Sequence, residues 1–239
     1  MKKLFILWLL VLAPLLWADI QTDTIATNKG DLTIGLVGHG TLYSAWDDKV
    51  VHVDPWSRLA DYTKLPKADL ILITHEHGDH LDPGAVKAVA TEETVVILTQ
   101  SCADRVDGTV MKNGDVKQVM GMTVKAVPAY NVEHKRDNGQ PFHPKGQGNG
   151  YVITFGDKTV YIAGDTENVP EMAELKEKVD IAFLPMNLPY TMSPEMAADA
   201  ARAVAPDILY PYHFGDTNVQ ELMTLLDKED IEIRIRNME

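Results

Sequence analysis

Short apolar runs ended by Gly, Asp or Pro recur along the chain from residue 32 onward. In the first half they are LTIGLV (32–37), KVVHVD (49–54), DLILIT (69–74), VVIL (95–98) and TVKAV (123–127). In the second half they are GYVITF (150–155), TVYIAG (159–164), DIAFLP (180–185), DILYPY (207–212) and IEIRI (231–235). Runs of this length, rich in β-branched residues and bounded by turn formers, predict strands. Gly156-Asp157 between two of them is a hairpin signal. Helical stretches fall between the strands. Asp82-Pro83 opens PGAVKAVA, Ser193-Pro194 caps PEMAADAARAVA, and further helices are expected over about 170–177 and 219–226. Apolar strands alternating with helices predict an α/β fold whose sheets are covered on both sides. The halves also echo each other: KVVHVDPW and TVYIAGDTE each run a β-branched strand out to an aspartate. Two related layers, each delivering a carboxylate from a strand end, are expected. A long loop, roughly 128–149, holds Pro, Gly, Asn and two histidines, and loops of that length usually carry function.

The first eighteen residues, MKKLFILWLLVLAPLLWA, break this pattern with two lysines, a nearly unbroken apolar run and a closing alanine. That order predicts a secretory signal over 1–18, a single domain over 19–239, and an exported protein, periplasmic or secreted. The apolar run is short for a membrane span, which needs about 20 residues, so no stable insertion is expected after cleavage. Cys102 is the lone cysteine, which excludes an internal disulfide and reads as a small buried hydrophobe. Lys and Arg number 22 against 35 Asp and Glu, a formal charge of −13. A surface this acidic repels phosphate backbones and anionic headgroups, so nucleic acid is not an expected partner. A small molecule is.

The densest chemistry is THEHGDH at 74–80, directly after a predicted strand. Four ligand-type groups in an H-x-H-x-D-H spacing crowd like-protonating imidazoles together, at an energetic cost unless a cation organises them. His75 and His77, two apart on an extended segment, can converge on one ion. Asp79 and His80 suit a second. Glu76 and Gly78 read as solvent-facing spacers.

This stretch resembles the signature of the metallo-β-lactamase superfamily of binuclear hydrolases. GHGTLY (38–43), VDP (53–55), HPKG (143–146), AGDT (163–166) and PYHFGD (211–216) follow in family order, so the resemblance spans nearly the whole mature chain. It is similar in particular to the branch related to L-ascorbate-6-phosphate lactonase. The resemblance implies an αββα four-layer sandwich, two mixed sheets flanked by helices, with metals at one edge between the sheets. It implies Asp165 as the bridging carboxylate and His213 as the last histidine of the second site. Many relatives carry the remaining first-site histidine where this chain has Tyr130-Asn131, which leaves His143 and His134, with His143 preferred for its constrained context. His39, between glycines, is expected near the pocket as a substrate contact or a donor to a ligand. His52 reads as a strand residue with a satisfied hydrogen bond, and Asp54 as a carboxylate that orients a ligand imidazole. Lys145, Asn187, Tyr190 and Tyr212 are candidates for binding substrate oxygens.

Two divalent ions sharing Asp165 would lower the pKa of a water between them to about 7, giving a hydroxide that attacks a carbonyl carbon or a phosphorus. Asp79 is the expected proton carrier. Zinc is the default ion for these ligands, with manganese or iron as alternatives. A small-molecule ester or lactone is the expected substrate, by similarity to the lactonase branch. A phosphodiester is the runner-up, and a non-enzymatic metal-binding protein is the alternative from another class. That last reading predicts a closed ligand shell, whereas catalysis needs an open position.

Overall fold

The computed structural model describes residues 20–239, so the expected signal lies outside the described residues. The first half forms β1 (Gln21–Thr27), β2 (Gly30–Gly38), β3 (Thr41–Trp46), β4 (Lys49–Val53), β5 (Leu70–Leu72), β6 (Val95–Leu98) and β7 (Thr109–Val110). The second forms β8 (Val116–Val119), β9 (Met122–Ala129), β10 (Gly148–Phe155), β11 (Lys158–Ile162), β12 (Ile181–Pro185), β13 (Ile208–Tyr212) and β14 (Glu232–Ile233). Each half is one seven-stranded sheet whose strands lie in chain order. β1 to β4 pair antiparallel and β4 to β7 parallel. β8 to β11 repeat the antiparallel part, and β11 to β14 the parallel part. Both sheets are therefore mixed, and each switches at its fourth strand. The echo in the sequence falls on those two strands: Asp54 directly follows β4, and Asp165 lies just past β11. Strand ends at such a switch open a crevice suited to ligands.

The helices close the outer layers. α1 (Pro83–Val89) starts from Asp82, whose side chain accepts from the Gly84 and Ala85 amides. α2 (Pro194–Val204) starts from Ser193, which accepts from the Met196 amide, and α3 (Val219–Leu225) from Asn218. These side chains satisfy amide donors that a first helical turn leaves unpaired. The central core joins Leu70 and Leu72 of the first sheet to Tyr151, Ile153, Phe183 and Tyr210 of the second. Ile71 and Ile73, offset by one residue, point outward and pack with Ala85 and Val89 of α1 and with Cys102. The two-residue alternation of a strand thus serves two apolar layers, which explains why DLILIT has no polar position between its ends. The result is the αββα sandwich.

Three expectations change. β1 has no counterpart among the apolar runs, because QTDTIAT has polar residues at most positions and buries only one face partly. Residues 170–177 form a 3-10 turn over Pro170–Glu174 in place of a helix. The last strand shrinks to Glu232–Ile233, and the segment beyond it turns toward β1, where Arg236 Nη2 donates to Asp23 Oδ2 at 2.8 Å. Among the described residues no helix is long and apolar enough to cross a membrane.

Candidate metal centre

THEHGDH leaves β5 as a compact turn. The His80 and Leu81 amides both donate to the His77 carbonyl, at 3.0 and 2.8 Å. Arg105 clamps the two ends, donating to Glu76 O at 2.7 Å and Leu81 O at 2.8 Å. Glu76, expected to be a free spacer, accepts from Ser101 Oγ at 2.7 Å. Gly78 is exposed, as expected. The turn lies at the C-terminal edge of the first sheet, facing the loop after β11 that carries Asp165 and the segment after β13 that carries His213.

Two groups of ligand-type side chains meet there. His75, His77, His143 and Asp165 each offer one atom within 4.8 Å of the others, as do His39, Asp79, His80 and His213. In the first group His75 Nε2 and His143 Nε2 face His77 Nδ1 at 3.1 and 3.2 Å. Asp165 stands between the groups. Its Oδ2 is 3.3 Å from His143 Nε2 and 3.4 Å from His213 Nε2, and its Oδ1 is 3.4 Å from His80 Nε2. His143 and not His134 reaches this point. His134 turns away, and its Nδ1 donates to Glu167 at 2.7 Å.

The ring nitrogens facing away from this centre are held by named acceptors. His80 Nδ1 donates to Asp54 Oδ2 at 2.8 Å. His75 Nδ1 donates to Thr74 Oγ1 at 3.0 Å, and that hydroxyl donates to Asp54 Oδ2 at 2.6 Å. His143 Nδ1 donates to Asn131 Oδ1 at 2.7 Å. A neutral imidazole has one N–H, so each bond leaves the opposite Nε2 as a lone pair aimed into the centre. The backbone is bent to the same end. His39, Asp54 and His213 all take left-handed φ values, of 51°, 45° and 48°, which non-glycine residues rarely adopt and which cluster at functional sites. Gly40 is needed beside them, since a Cβ there would stand 2.6 Å from His80 Cε1.

The centre calls for positive charge. His80 Nε2, Asp165 Oδ1 and His213 Nε2 are buried and have no hydrogen-bond partner among the described residues. Burial alone would lower the His80 pKa, but the carboxylates of Asp165, Asp54 and Asp79 outweigh it and lift it to about 9. For Asp165, burial raises the pKa, yet the surrounding imidazoles hold it well below the ordinary carboxylate range. Burial lowers His75, with the charge of the neighbouring His80 adding to it. Buried carboxylates and converging lone pairs fit divalent cations, which would satisfy both at once.

A cavity of about 500 Å³ opens onto this edge, lined by His77, Asp79, Arg136, Phe142, Asn187 and Tyr190 among others. Asn187 and Tyr190, expected as contacts to substrate oxygens, both line this cavity. His39 lines it too, lies against His213 with ring centroids 3.7 Å apart and the planes tilted by 36°, and donates from Nε2 to Asp79 Oδ2 at 3.2 Å. Lys145 is a correction: it points outward and pairs with Glu171 at 2.7 Å, over the Tyr130 ring. Tyr212 is also withdrawn as a substrate contact, being buried with its hydroxyl toward Gly164 O at 3.3 Å. His52 donates from Nε2 to Pro66 O at 3.0 Å and takes no part in the centre.

The family model of a beta-lactamase superfamily domain matches residues 33–213. The chain belongs to the beta-lactamase superfamily. Its curated relatives in the superfamily include a metal-dependent hydrolase of Thermococcus kodakarensis, 30% identical over 196 residues that cover 76% of this chain and 84% of that protein. Among solved superfamily structures, a candidate metal-dependent hydrolase from Parabacteroides distasonis is 49% identical, with a TM-score of 0.88 over 92% of this chain and 100% of that one. The fold is shared as well by Igni18, a metallo hydrolase of Ignicoccus hospitalis, at 21% identity and a TM-score of 0.71, covering 87% of this chain and 95% of that one.

Sequence reading misses three residues of this superfamily site. Glu167, in AGDTE, is fully buried and accepts from the amides of Val132, Glu133 and His134 and from Asn131 Nδ2. Asn131 passes that order on, accepting from both the amide and Nδ1 of His143. Arg136 reaches over the cavity from the long loop. The one signal available is the length of the loop that carries Asn131 and Arg136, since Glu167 lies outside it, 36 residues from Asn131.

Proposed function

We propose that this protein is a hydrolase that works with two divalent cations and splits a small-molecule carboxylic ester or lactone. His75, His77 and His143 would hold one ion, Asp79, His80 and His213 the other, and Asp165 would bridge them. The observation that carries the reading is the convergence of five imidazoles on Asp165, with Asp79 beside two of them, several with the opposite ring nitrogen already hydrogen-bonded. Bound ions of this kind supply an acidified water as nucleophile and polarise the oxygen of the electrophile.

The chain's own residues do the rest. Thr74, Asp54 and Asn131 fix the tautomers of the ligand imidazoles. His39 donates to Asp79 and orients its carboxylate. Asp79 is the more open of the two central carboxylates and accepts a hydrogen bond from the attacking water. Burial raises its pKa, but the neighbouring His213 and His39 hold it far below the ordinary range, so it is ionised and able to bind a cation. Asn187 and Tyr190 border the space in which the substrate lies. An open cavity of about 500 Å³ over the ligands supports turnover over metal storage, which favours a closed shell. Zinc suits these ligands, and the 1–18 segment supports work outside the cytoplasm.

The test is metal analysis of protein purified without chelators, followed by a screen of lactones, aryl esters and phosphodiesters on the loaded protein. Two ions per chain and ester turnover are expected. Turnover of phosphodiesters alone would overturn the substrate class, and full inactivity with two ions bound would overturn the enzyme.

A further inference from the structure

We propose that the molecule hydrolysed here carries a carboxylate, and that Arg136 is the residue that holds it. This rests on the hydrolase reading and adds the substrate's charge to it.

Arg136 sits on a small hairpin inside the loop between β9 and β10, closed by a bridge between Lys135 and Pro141. Its amide donates to Gln140 O at 2.7 Å, and Gly139 N returns to Arg136 O at 2.8 Å. Both feet of the hairpin are anchored: the His134 amide to Glu167 at 2.8 Å, the His143 amide to Asn131 at 2.8 Å. The hairpin that carries the guanidinium is therefore held in place at both feet. The guanidinium lies above the Phe142 ring, 4.9 Å from the centroid, and Phe142 meets Tyr190 edge-on at 5.1 Å.

Its donors are largely unspent. Nη2 donates to Phe142 O at 3.3 Å and lies 3.5 Å from His77 Nε2. His77 turns Nδ1 to the centre, so in that arrangement its Nε2 carries the proton and accepts nothing from Arg136. No carboxylate of the described residues lies within ion-pairing distance of the guanidinium; Arg202, Arg234 and Arg236 are each paired with one, and Arg58 and Arg105, likewise without one, do not line this cavity. Among the described residues Arg136 is also the one Lys or Arg lining this cavity. In a chain with net charge −13, an unpaired guanidinium beside the metal ligands is a place for an incoming anion.

One planar guanidinium matches one planar carboxylate through two parallel hydrogen bonds. The same fork also fits a phosphate group, which the phenyl phosphate titration below separates from a carboxylate. Because Arg136 is separated from the centre by the width of the His77 ring, the carboxylate stands a few bonds from the carbonyl that is attacked. The substrate is thus a small ester or lactone with a free carboxylate close by, its carbon skeleton against Phe142 and Tyr190.

The experiment compares metal-loaded wild type, Arg136→Ala and Arg136→Lys on two 4-nitrophenyl esters of equal length, the hemiglutarate and the neutral valerate. The wild type is expected to favour the hemiglutarate. Arg136→Ala should lose about 10–100-fold more kcat/KM on the anionic ester than on the neutral one, chiefly through KM, with two ions still bound. Arg136→Lys should recover part of that loss. Equal losses on both esters, or a wild-type preference for the valerate, would overturn the proposal. A calorimetric titration of glutarate and of phenyl phosphate into the same loaded proteins separates this idea from the hydrolase reading. Glutarate binding that weakens about tenfold or more in Arg136→Ala supports the carboxylate site even where neither ester turns over. Unchanged glutarate binding refutes it, and a larger Arg136-dependent loss for phenyl phosphate would replace carboxylate by phosphate.

Discussion

Replacing Asn131 by aspartate exchanges one NH2 for an oxygen and changes little in shape. In the native protein Asn131 Nδ2 donates to Glu167 Oε1 at 3.0 Å and to Tyr190 O at 2.9 Å, while Oδ1 accepts from His143. Burial would raise the Glu167 pKa, but the hydrogen bonds from Asn131 and the 132–134 amides outweigh it and keep it ionised. Asn131→Asp would therefore set a second carboxylate against a buried one. Left ionised at about 3 Å in an effective dielectric near 20, the pair repels by roughly 5 kcal/mol. Keeping a proton on the new group costs about 5 kcal/mol at pH 7.5, from an ordinary pKa near 3.9 and 1.36 kcal/mol per unit. Neither route is cheap, and the lost donor to Tyr190 adds about 1 kcal/mol.

The sign follows from the proton. The folded variant holds a proton that the unfolded chain releases above about pH 4, so the penalty grows with pH and shrinks on acidification. It should be about 6 kcal/mol at pH 7.5 and about 2 to 3 kcal/mol at pH 5. Urea unfolding of the metal-free wild type and variant at both pH values measures it. A variant unfolded at pH 7.5 that regains a cooperative transition at pH 5 supports the same conclusion. A penalty below about 2 kcal/mol at pH 7.5, or one that does not change with pH, would refute the role assigned to Asn131 and Glu167.

Three further outcomes are expected. Asp54→Ala leaves His80 Nδ1 and Thr74 without their acceptor, so affinity for the ion held by His80 should fall about 10–100-fold in a chelator competition, and that for the ion held by His75, which reaches Asp54 only through Thr74, should fall less. His143→Ala should drop the metal content by one ion per chain, whereas His134→Ala should retain both, because His134 pairs with Glu167 outside the centre. Burial pushes His52 down to about 4, so the unfolded chain takes up the proton first and stability is lost as pH falls from about 6.5 toward 4. The stability gap between metal-free wild type and His52→Gln should accordingly narrow by about 2 to 3 kcal/mol between pH 7.5 and 4.5 in urea unfolding. A constant gap would mean that His52 does not titrate differently on unfolding.

The legible parts of this molecule are those whose information is local. The apolar runs at 69–74 and 180–185 show themselves as strands because both faces are buried. THEHGDH shows itself as a metal motif because four ligand-type side chains share one turn. β1 stays hidden because a strand with one wet face and many polar residues has no apolar run to betray it. Lys145 is misplaced by the sequence because nearness along the chain to His143 says nothing of direction, and its ammonium is drawn outward by Glu171.

The sequence by itself determined the alternation of strands and helices, the repeat that sends Asp54 and Asp165 to matching strand ends, and the ligand chemistry of residues 75–80. Only the tertiary structure decided that His143 and not His134 joins them, that Glu167 and Asn131 hold it there, and that Arg136 faces the cavity with no carboxylate among the described residues to neutralise it. The physical reason lies in distance along the chain. A ligand's direction depends on acceptors 12 to 36 residues away, as with His143 to Asn131 and Asn131 to Glu167, and those meet only when the two sheets have packed.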